Sequence, residues 1–238
     1  MDDIISKRTM LGRLPALIWG RETGRAMLHV HGKMSRKEYA MNFARTAQKY
    51  GWQTVSFDLP GHGERTDVPC DVWHGMEDVR AAADAARGLW PEVGLFACSL
   101  GAYFCLRSLN DLSFRTCLFQ SPIVDMRWLI EQMMAWNHVT EEQLRLTGQV
   151  ETPVETLSWA YRENVLANPI TRWQAETHIL YAGKDNLQPC SAMEDFIRRF
   201  GGTLEVSATS EHPFMATGDE RIVRRFAEHW LETREEHA

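Results

Sequence analysis

One stretch of the sequence decides the fold: Val93-Gly94-Leu95-Phe96-Ala97-Cys98-Ser99-Leu100-Gly101-Ala102-Tyr103. It opens with an apolar run that has the length of a buried strand, and a helical segment begins almost directly after Ser99. A strand that turns into a helix this abruptly leaves no room for side chains, which explains why Ala97 and Gly101 are small. Such a turn holds a serine hydroxyl at the strand tip, on the N-terminus of the helix. The stretch therefore predicts a nucleophile elbow, although small residues also flank serines without any function.

Strand and helix patterns alternate on both sides of this stretch. Strands are predicted at residues 8–11, 14–19, 26–30, 53–57, 93–97, 114–119, 177–182 and 204–207. Helices are predicted after a capping box at Ser35–Glu38, at about 75–89, 102–109 and 191–200, and after a cap at Thr217–Glu220. This alternation is typical of βαβ units. It predicts an α/β fold with a doubly wound, mostly parallel sheet and helices on both faces.

Residues of about 125–173 interrupt the alternation, because they carry no strand pattern. Three helix signatures replace it: an apolar stripe from Met126 to Trp136, a capping box at Thr140–Gln143, and a capping box with proline at Thr152–Glu155. A segment of roughly 45 residues holds little core alone. We therefore predict a single domain, residues 1–238, with a small helical cap insertion.

Composition and charge exclude several classes of protein. The chain is 44% hydrophobic and 24% charged with a net charge of −6, and its basic residues form no run that would bind nucleic acid. No basic leader or membrane-length apolar segment is visible, so we expect neither a signal peptide nor a membrane partner. Five cysteines without a Cys-x-x-Cys pair are expected to be reduced thiols in a cytoplasmic protein.

Polar residues follow several of the predicted parallel strands. Ligands bind at the carboxyl ends of such strands, so the loops that hold His31-Gly32-Lys33, Asp58–Gly63, Ser99, Asp185 and His212 are expected at one edge of the sheet. Serine needs a base to act as a nucleophile, histidine suits that role, and a carboxylate orients the histidine. The order Ser99, Asp185, His212 is the order of α/β-hydrolases. With these motifs, nearly all of the chain resembles the α/β-hydrolase fold family.

The resemblance implies a role for each matching residue. Ser99 is the expected nucleophile, His212 the general base and then acid, and Asp185 the orienting carboxylate. Asp125 is the competing acid, because some members of the family place the carboxylate after the preceding strand. The backbone N–H groups of Lys33 and Leu100 are the expected oxyanion hole.

Several other residues near these motifs are interpreted as structural or as lining a pocket. His29 and His31 alternate on a strand without a carboxylate or cysteine at ligand spacing, so packing is expected and no metal. His62, between two glycines, is interpreted as structural, with a place at the mouth of the site as the alternative. No cofactor is expected, because its loop does not match a dinucleotide site. An apolar pocket over Ser99 is expected from residues of the cap: Met126, Trp128, Met133, Trp136 and Trp159.

The sequence therefore predicts a serine hydrolase of a small or medium carboxylic ester, acting through an acyl-enzyme. The same three residues would also serve a thioesterase, an acyltransferase, a peptidase or a C–C bond hydrolase, because fold does not fix function. A non-enzymatic binding protein of the same fold is a further alternative, which the complete set of three residues disfavours. The expected partner is a small-molecule ester or thioester.

Overall fold

The computed structural model describes residues 4–232, and residues 1–3 and 233–238 of the predicted domain lie outside them. Its strands are β1 (Ser6–Leu11), β2 (Leu14–Trp19), β3 (Arg25–Val30), β4 (Gln53–Phe57), β5 (Glu92–Cys98), β6 (Cys117–Gln120), β7 (Gln149–Glu151), β8 (Thr156–Ser158), β9 (Thr177–Ala182) and β10 (Thr203–Ser207). Its helices are α1 (Met41–Lys49), α2 (Val72–Leu89), α3 (Leu100–Ser108), α4 (Met126–Trp136), α5 (Glu141–Thr147), α6 (Trp159–Ala167), α7 (Cys190–Phe200) and α8 (Asp219–Leu231). Within the described residues, no helix is both long and apolar enough to cross a bilayer.

Eight of the strands form one sheet in the order β1-β2-β4-β3-β5-β6-β9-β10. Strand β2 is antiparallel to β1 and β4, while every pair from β4 to β10 is parallel. This arrangement confirms the predicted mostly parallel α/β sheet. Strand β5 lies near the centre, hydrogen-bonded to β3 and β6, so the residue after its end emerges in the middle of the carboxyl edge.

Helices cover both faces of this sheet, as the alternation of strands and helices predicts. Met27 and Phe96 point to the face that α1 and α8 cover, where they pack with Phe43 and Phe226. Their neighbours along the strands point to the opposite face and join the larger core with α2, α3 and α7. Because both faces are buried, the central strands read as continuous apolar runs rather than as an alternation of polar and apolar residues.

The cap insertion (residues 121–176, between β6 and β9) differs in one respect from the prediction. Helices α4 and α5 form as predicted, and Thr140 caps α5 by accepting the N–H of Gln143 at 3.1 Å. The predicted capping box at Thr152 does not start a helix but closes the turn of an antiparallel hairpin, β7–β8. Thr152 Oγ1 accepts the N–H of Glu155 at 3.1 Å, a bond that serves a turn as well as a helix start. Helix α6 instead begins after Ser158, which caps it.

The capping box predicted at Ser35–Glu38 is wrong. A single 3₁₀ turn, Lys37–Ala40, precedes α1, and no side chain of its first residues caps it. The buried carboxylate of Asp58, which follows β4, accepts the N–H of Lys37 at 2.8 Å. A tertiary partner thus replaces Ser35 as the acceptor for this turn. The last helix, α8, likewise starts after Gly218 in a left-handed conformation without a side-chain cap.

The same carboxylate forms a buried ion pair with Lys37. Burial opposes ionisation of Asp58, but hydrogen bonds from the N–H of Glu64 and from Lys37 outweigh it and hold the pKa of Asp58 below its usual range. Both side chains are almost completely buried, so removing the Lys37 ammonium, which also contacts Glu64 at 2.9 Å, would leave the Asp58 carboxylate without its cation and away from water.

Replacing Lys37 by methionine is therefore expected to lower the free energy of unfolding by about 3–5 kcal/mol. Lys49→Met is the matched control, because the Lys49 ammonium is exposed and contacts Glu228 at the surface. This control is expected to change the free energy by less than about 0.5 kcal/mol. Urea unfolding followed by circular dichroism measures both, and equal values for the two variants would contradict the role assigned to the buried pair.

Candidate active site

Ser99 occupies the turn between β5 and α3 with a strained backbone. Its φ of 49° and ψ of −120° lie in a region that residues other than glycine rarely adopt. Hydrogen bonds from both sides fix the turn: Ser99 N–H donates to Gln120 O at 3.1 Å, and Ile123 N–H donates to Ser99 O at 3.2 Å. A Cβ atom on Gly101 would overlap the carbonyl oxygen of His31. The structure thus contains the sharp strand-to-helix turn that the opening stretch predicts.

Ser99, His212 and Asp185 are joined by two hydrogen bonds. Ser99 Oγ lies 2.8 Å from His212 Nε2, and His212 Nδ1 lies 2.7 Å from Asp185 Oδ2. The carboxylate accepts at Nδ1, so that nitrogen carries the proton and Nε2 is free to accept the serine hydroxyl. Asp185 is itself held by the N–H groups of Leu187 at 2.8 Å and Gln188 at 3.2 Å, both on Oδ1. Residues from three separate loops therefore meet in one chain of hydrogen bonds.

Asp125, the competing acid, lies elsewhere in the hydrogen-bond network. Its Oδ1 accepts the N–H of Trp128 at 2.9 Å and so caps α4. Its backbone is tied to the Gln188 side chain at 2.7 Å through N–H and at 3.0 Å through the carbonyl oxygen. In the described part of the chain, the carboxylate bonded to His212 is that of Asp185.

Two further residues hold the loop that carries His212, and the sequence patterns did not indicate them. The Gln120 side chain, at the end of β6, donates to the carbonyl oxygen of Pro213 at 2.6 Å. The buried Asp219 carboxylate accepts Ser210 Oγ at 2.8 Å and the N–H of Ala216 at 3.0 Å. A polar side chain at the carboxyl end of a buried strand was the available signal for Gln120. The sequence pattern around Asp219 indicates only an acidic residue in the first turn of a helix.

Residues 31–34 follow β3 and form the β3 loop, whose backbone lies against Ser99. A Cβ atom on Gly32 would lie 3.1 Å from Ser99 Cβ, so a side chain there would require Ser99 or the loop to shift by a few tenths of an ångström. Lys33 follows, and Leu100 begins α3 on the other side of Ser99. Within the described residues, neither the Lys33 N–H nor the Leu100 N–H donates to a protein acceptor. The Lys33 ammonium contacts the Glu155 carboxylate in the turn of the cap hairpin.

His29, in β3, and His31, directly after it, are almost completely buried. Burial lowers the pKa of His31 to about 4 and that of His29 to about 3, because it disfavours the charged imidazole. The His29 ring stacks on Phe96 with centroids 4.7 Å apart. Burial also raises the pKa of Cys98 to about 12, so the thiol beside Ser99 stays protonated and unreactive.

The cap places its predicted pocket residues in different surroundings. Met126 is buried and lines a cavity of about 360 Å³ between α4, α6 and α7, with Tyr103, Val165 and Phe196. Trp128, Met133 and Trp159 pack half-buried against the main core, and Trp136 is 49% exposed. Neither Ser99 nor His212 lines this cavity, so it is not the space directly above the serine.

A comparison with sequence models of protein families identifies the family of this chain. The sequence model described as the alpha/beta hydrolase family matches residues 27–237. The chain belongs to this family. A search of curated protein sequences found no significant match.

Solved structures of other alpha/beta hydrolases share this fold at low sequence identity. Alpha/beta hydrolase domain-containing protein 10 from mouse is 14% identical with a TM-score of 0.75, over 96% of this chain and 98% of the other. Est1E from Butyrivibrio proteoclasticus, with ferulic acid bound, is 12% identical with a TM-score of 0.74, over 94% and 97%. The monoacylglycerol lipase of Paleococcus ferrophilus is 17% identical with a TM-score of 0.67, over 92% and 98%.

Proposed function

We propose that this alpha/beta hydrolase is a serine hydrolase that cleaves small or medium carboxylic esters through an acyl-enzyme. The observation that carries the proposal is the hydrogen-bonded chain from Ser99 through His212 to Asp185, built on a strained turn at the centre of the carboxyl edge. Strained backbone persists only where the surrounding structure enforces it, and it clusters at functional sites.

The geometry supports the first half of the reaction as follows. His212 Nε2 takes the hydroxyl proton as Ser99 Oγ attacks the ester carbonyl carbon, and the Asp185 carboxylate stabilises the resulting imidazolium. The negative charge that forms on the carbonyl oxygen is accepted by the N–H groups of Lys33 and Leu100, which donate to no acceptor among residues 4–232. His212 then gives its proton to the departing alkoxide, which leaves as the alcohol and leaves an acyl group on Ser99.

The second half repeats these steps with water. His212 takes a proton from a water molecule, and the hydroxide oxygen attacks the acyl carbon of the serine ester. The same two N–H groups accept the charge of the second tetrahedral intermediate. His212 returns the proton to Ser99 Oγ as the carboxylic acid leaves, and the resting hydrogen bonds are restored.

An ester is the proposed substrate because the cap is rich in apolar residues and because similar structures point the same way. In the cap, Met126 is buried in the main core and Trp128, Met133 and Trp159 pack half-buried against it, and ligand pockets are lined mostly by apolar side chains of this kind. The name monoacylglycerol lipase, carried by one of the similar structures, refers to an ester substrate.

A panel of acyl donors tests this assignment. p-Nitrophenyl esters and coenzyme A thioesters of increasing chain length are assayed with the wild-type protein and with Ser99→Ala. We expect turnover of the esters, greatest at short or medium chains, with a rapid initial release of p-nitrophenol that reports the acyl-enzyme. Turnover of thioesters alone would contradict the ester assignment and indicate a thioesterase. If the wild-type protein turned over no donor faster than Ser99→Ala does, hydrolysis by this serine would be contradicted.

A further inference from the structure

The β3 loop contains a residue, Met34, whose strained backbone is not stabilised by its own side chain. Met34 has a φ of 60°, in the left-handed region that residues with a side chain rarely adopt. Its side chain is 87% exposed, so packing of that side chain does not stabilise the conformation. Met34 directly follows Lys33, whose N–H is one of the two proposed oxyanion donors. The Met34 N–H belongs to the peptide group that joins Lys33 to Met34, so a partner that holds this N–H also limits how the backbone of Lys33 can turn.

The imidazole of His62 contacts this backbone. His62 Nε2 accepts the N–H of Met34 at 2.9 Å, and His62 Nδ1 lies 2.8 Å from the carbonyl oxygen of Pro60. A ring nitrogen that accepts from an N–H cannot carry a proton, so the proton of neutral His62 is on Nδ1 and donates to Pro60. The ring thus joins the β3 loop to the turn after β4.

His31 makes a second connection between the same two segments. Its Nε2 accepts the N–H of Leu59 at 3.0 Å, and its Nδ1 donates to Gly32 O at 2.7 Å. The His31 and His62 rings lie edge to face with centroids 5.2 Å apart. His31 fixes the buried start of the β3 loop, and His62 fixes its exposed end, so the backbone of Lys33 is held between two imidazoles.

We propose that His62 is a positioning residue for the oxyanion hole: its neutral imidazole holds Met34 in the left-handed conformation and thereby directs the Lys33 N–H toward Ser99. This inference rests on the proposed function, since it concerns a donor of that site. In the described part of the chain, His62 forms no hydrogen bond with Ser99 or His212. The simpler alternative is that the ring only braces the turn after β4 through Pro60.

Two substitutions separate these roles, because glutamine and asparagine each keep one of the two bonds. In His62→Gln the amide oxygen reaches the place of Nε2 and accepts the Met34 N–H. In His62→Asn the shorter amide occupies the place of Nδ1 and donates to Pro60 but does not reach Met34. The pair therefore removes one bond at a time at the same position.

We expect His62→Asn to lower kcat by about 10- to 100-fold with KM within about twofold of wild type, because an oxyanion donor acts in the transition state. His62→Gln is expected to stay within about threefold of the wild-type kcat. A wild-type kcat for His62→Asn, an equal loss in both variants, or a change confined to KM would overturn the inference.

A second substitution keeps the test decisive if the glutamine variant does not fold. Glycine adopts a positive φ without strain, so Met34→Gly in the His62→Asn background is expected to recover at least about threefold of the lost kcat. No recovery would count against the inference. Ser99→Ala distinguishes a failure of this inference from a failure of the proposed function. Activity in Ser99→Ala would contradict the serine mechanism itself. An inactive Ser99→Ala together with a fully active His62→Asn would contradict only the role of His62.

Discussion

Ser99→Ala is expected to lower kcat for ester hydrolysis by about 10⁶-fold, the scale seen when a serine protease loses its nucleophile. Alanine removes the atom that His212 would deprotonate, and no other group in the elbow can replace it. The neighbouring thiol of Cys98 is not a substitute, because burial raises its pKa to about 12. The measurement is kcat with the best p-nitrophenyl ester, at enzyme concentrations high enough to detect the residual rate.

Ser121→Ala is the matched control for this loss. Ser121 follows the adjacent strand β6, is fully buried and also has a positive φ, of 42°. Its hydroxyl has no hydrogen-bond partner among the described residues, so its removal leaves no group unpaired. We expect wild-type kcat for this variant. A Ser99→Ala protein that retains more than about one hundredth of the wild-type kcat would be incompatible with the proposed mechanism.

Asp185→Asn is expected to lower kcat by about 10⁴-fold, because it reverses the tautomer of His212. Oδ1 of Asp185 accepts the N–H groups of Leu187 and Gln188, so an amide at this position would keep its oxygen there. Its NH₂ group would then face His212 Nδ1 and donate to it. Nδ1 would lose its proton to Nε2, and the protonated Nε2 could no longer accept the hydroxyl proton of Ser99.

Asp125→Asn is the matched control, with the same chemical change at the competing carboxylate. Asparagine caps helices about as well as aspartate, so α4 keeps its cap and kcat is expected within about twofold of wild type. Kinetics of both variants across pH 6–9 give the comparison. A large loss of kcat in Asp125→Asn together with an active Asp185→Asn would show that Asp125, and not Asp185, is the catalytic carboxylate.

The sheet and the order of its loops could be predicted from the sequence because they follow from local patterns. Apolar runs of strand length, each ending in a polar loop, predict parallel strands whose carboxyl ends meet. Ser99, Asp185 and His212 lie on three such loops, and the structure brings their side chains within hydrogen-bond distance. The abrupt change from strand to helix around Ser99 likewise required no knowledge of distant residues.

The features that were not predicted depend on partners distant in sequence. Ser35 has the pattern of a helix cap, but Asp58, in the loop after β4, accepts the N–H that begins the turn. Thr152 makes a local bond that fits a turn or a helix, and pairing of β7 with β8 decides between them. Gln120 and His62 act through single hydrogen bonds to other loops, which no periodicity in the sequence encodes.

The most direct test of the serine mechanism is covalent labelling with a fluorophosphonate, followed by digestion and mass spectrometry. An activated serine attacks the phosphorus atom and expels fluoride, and the phosphonyl oxygen takes the place of the oxyanion. We predict one adduct per chain, on the peptide that contains Ser99, in wild type and in Ser121→Ala, and none in Ser99→Ala. An adduct on a different residue, or undiminished labelling of Ser99→Ala, would contradict the account.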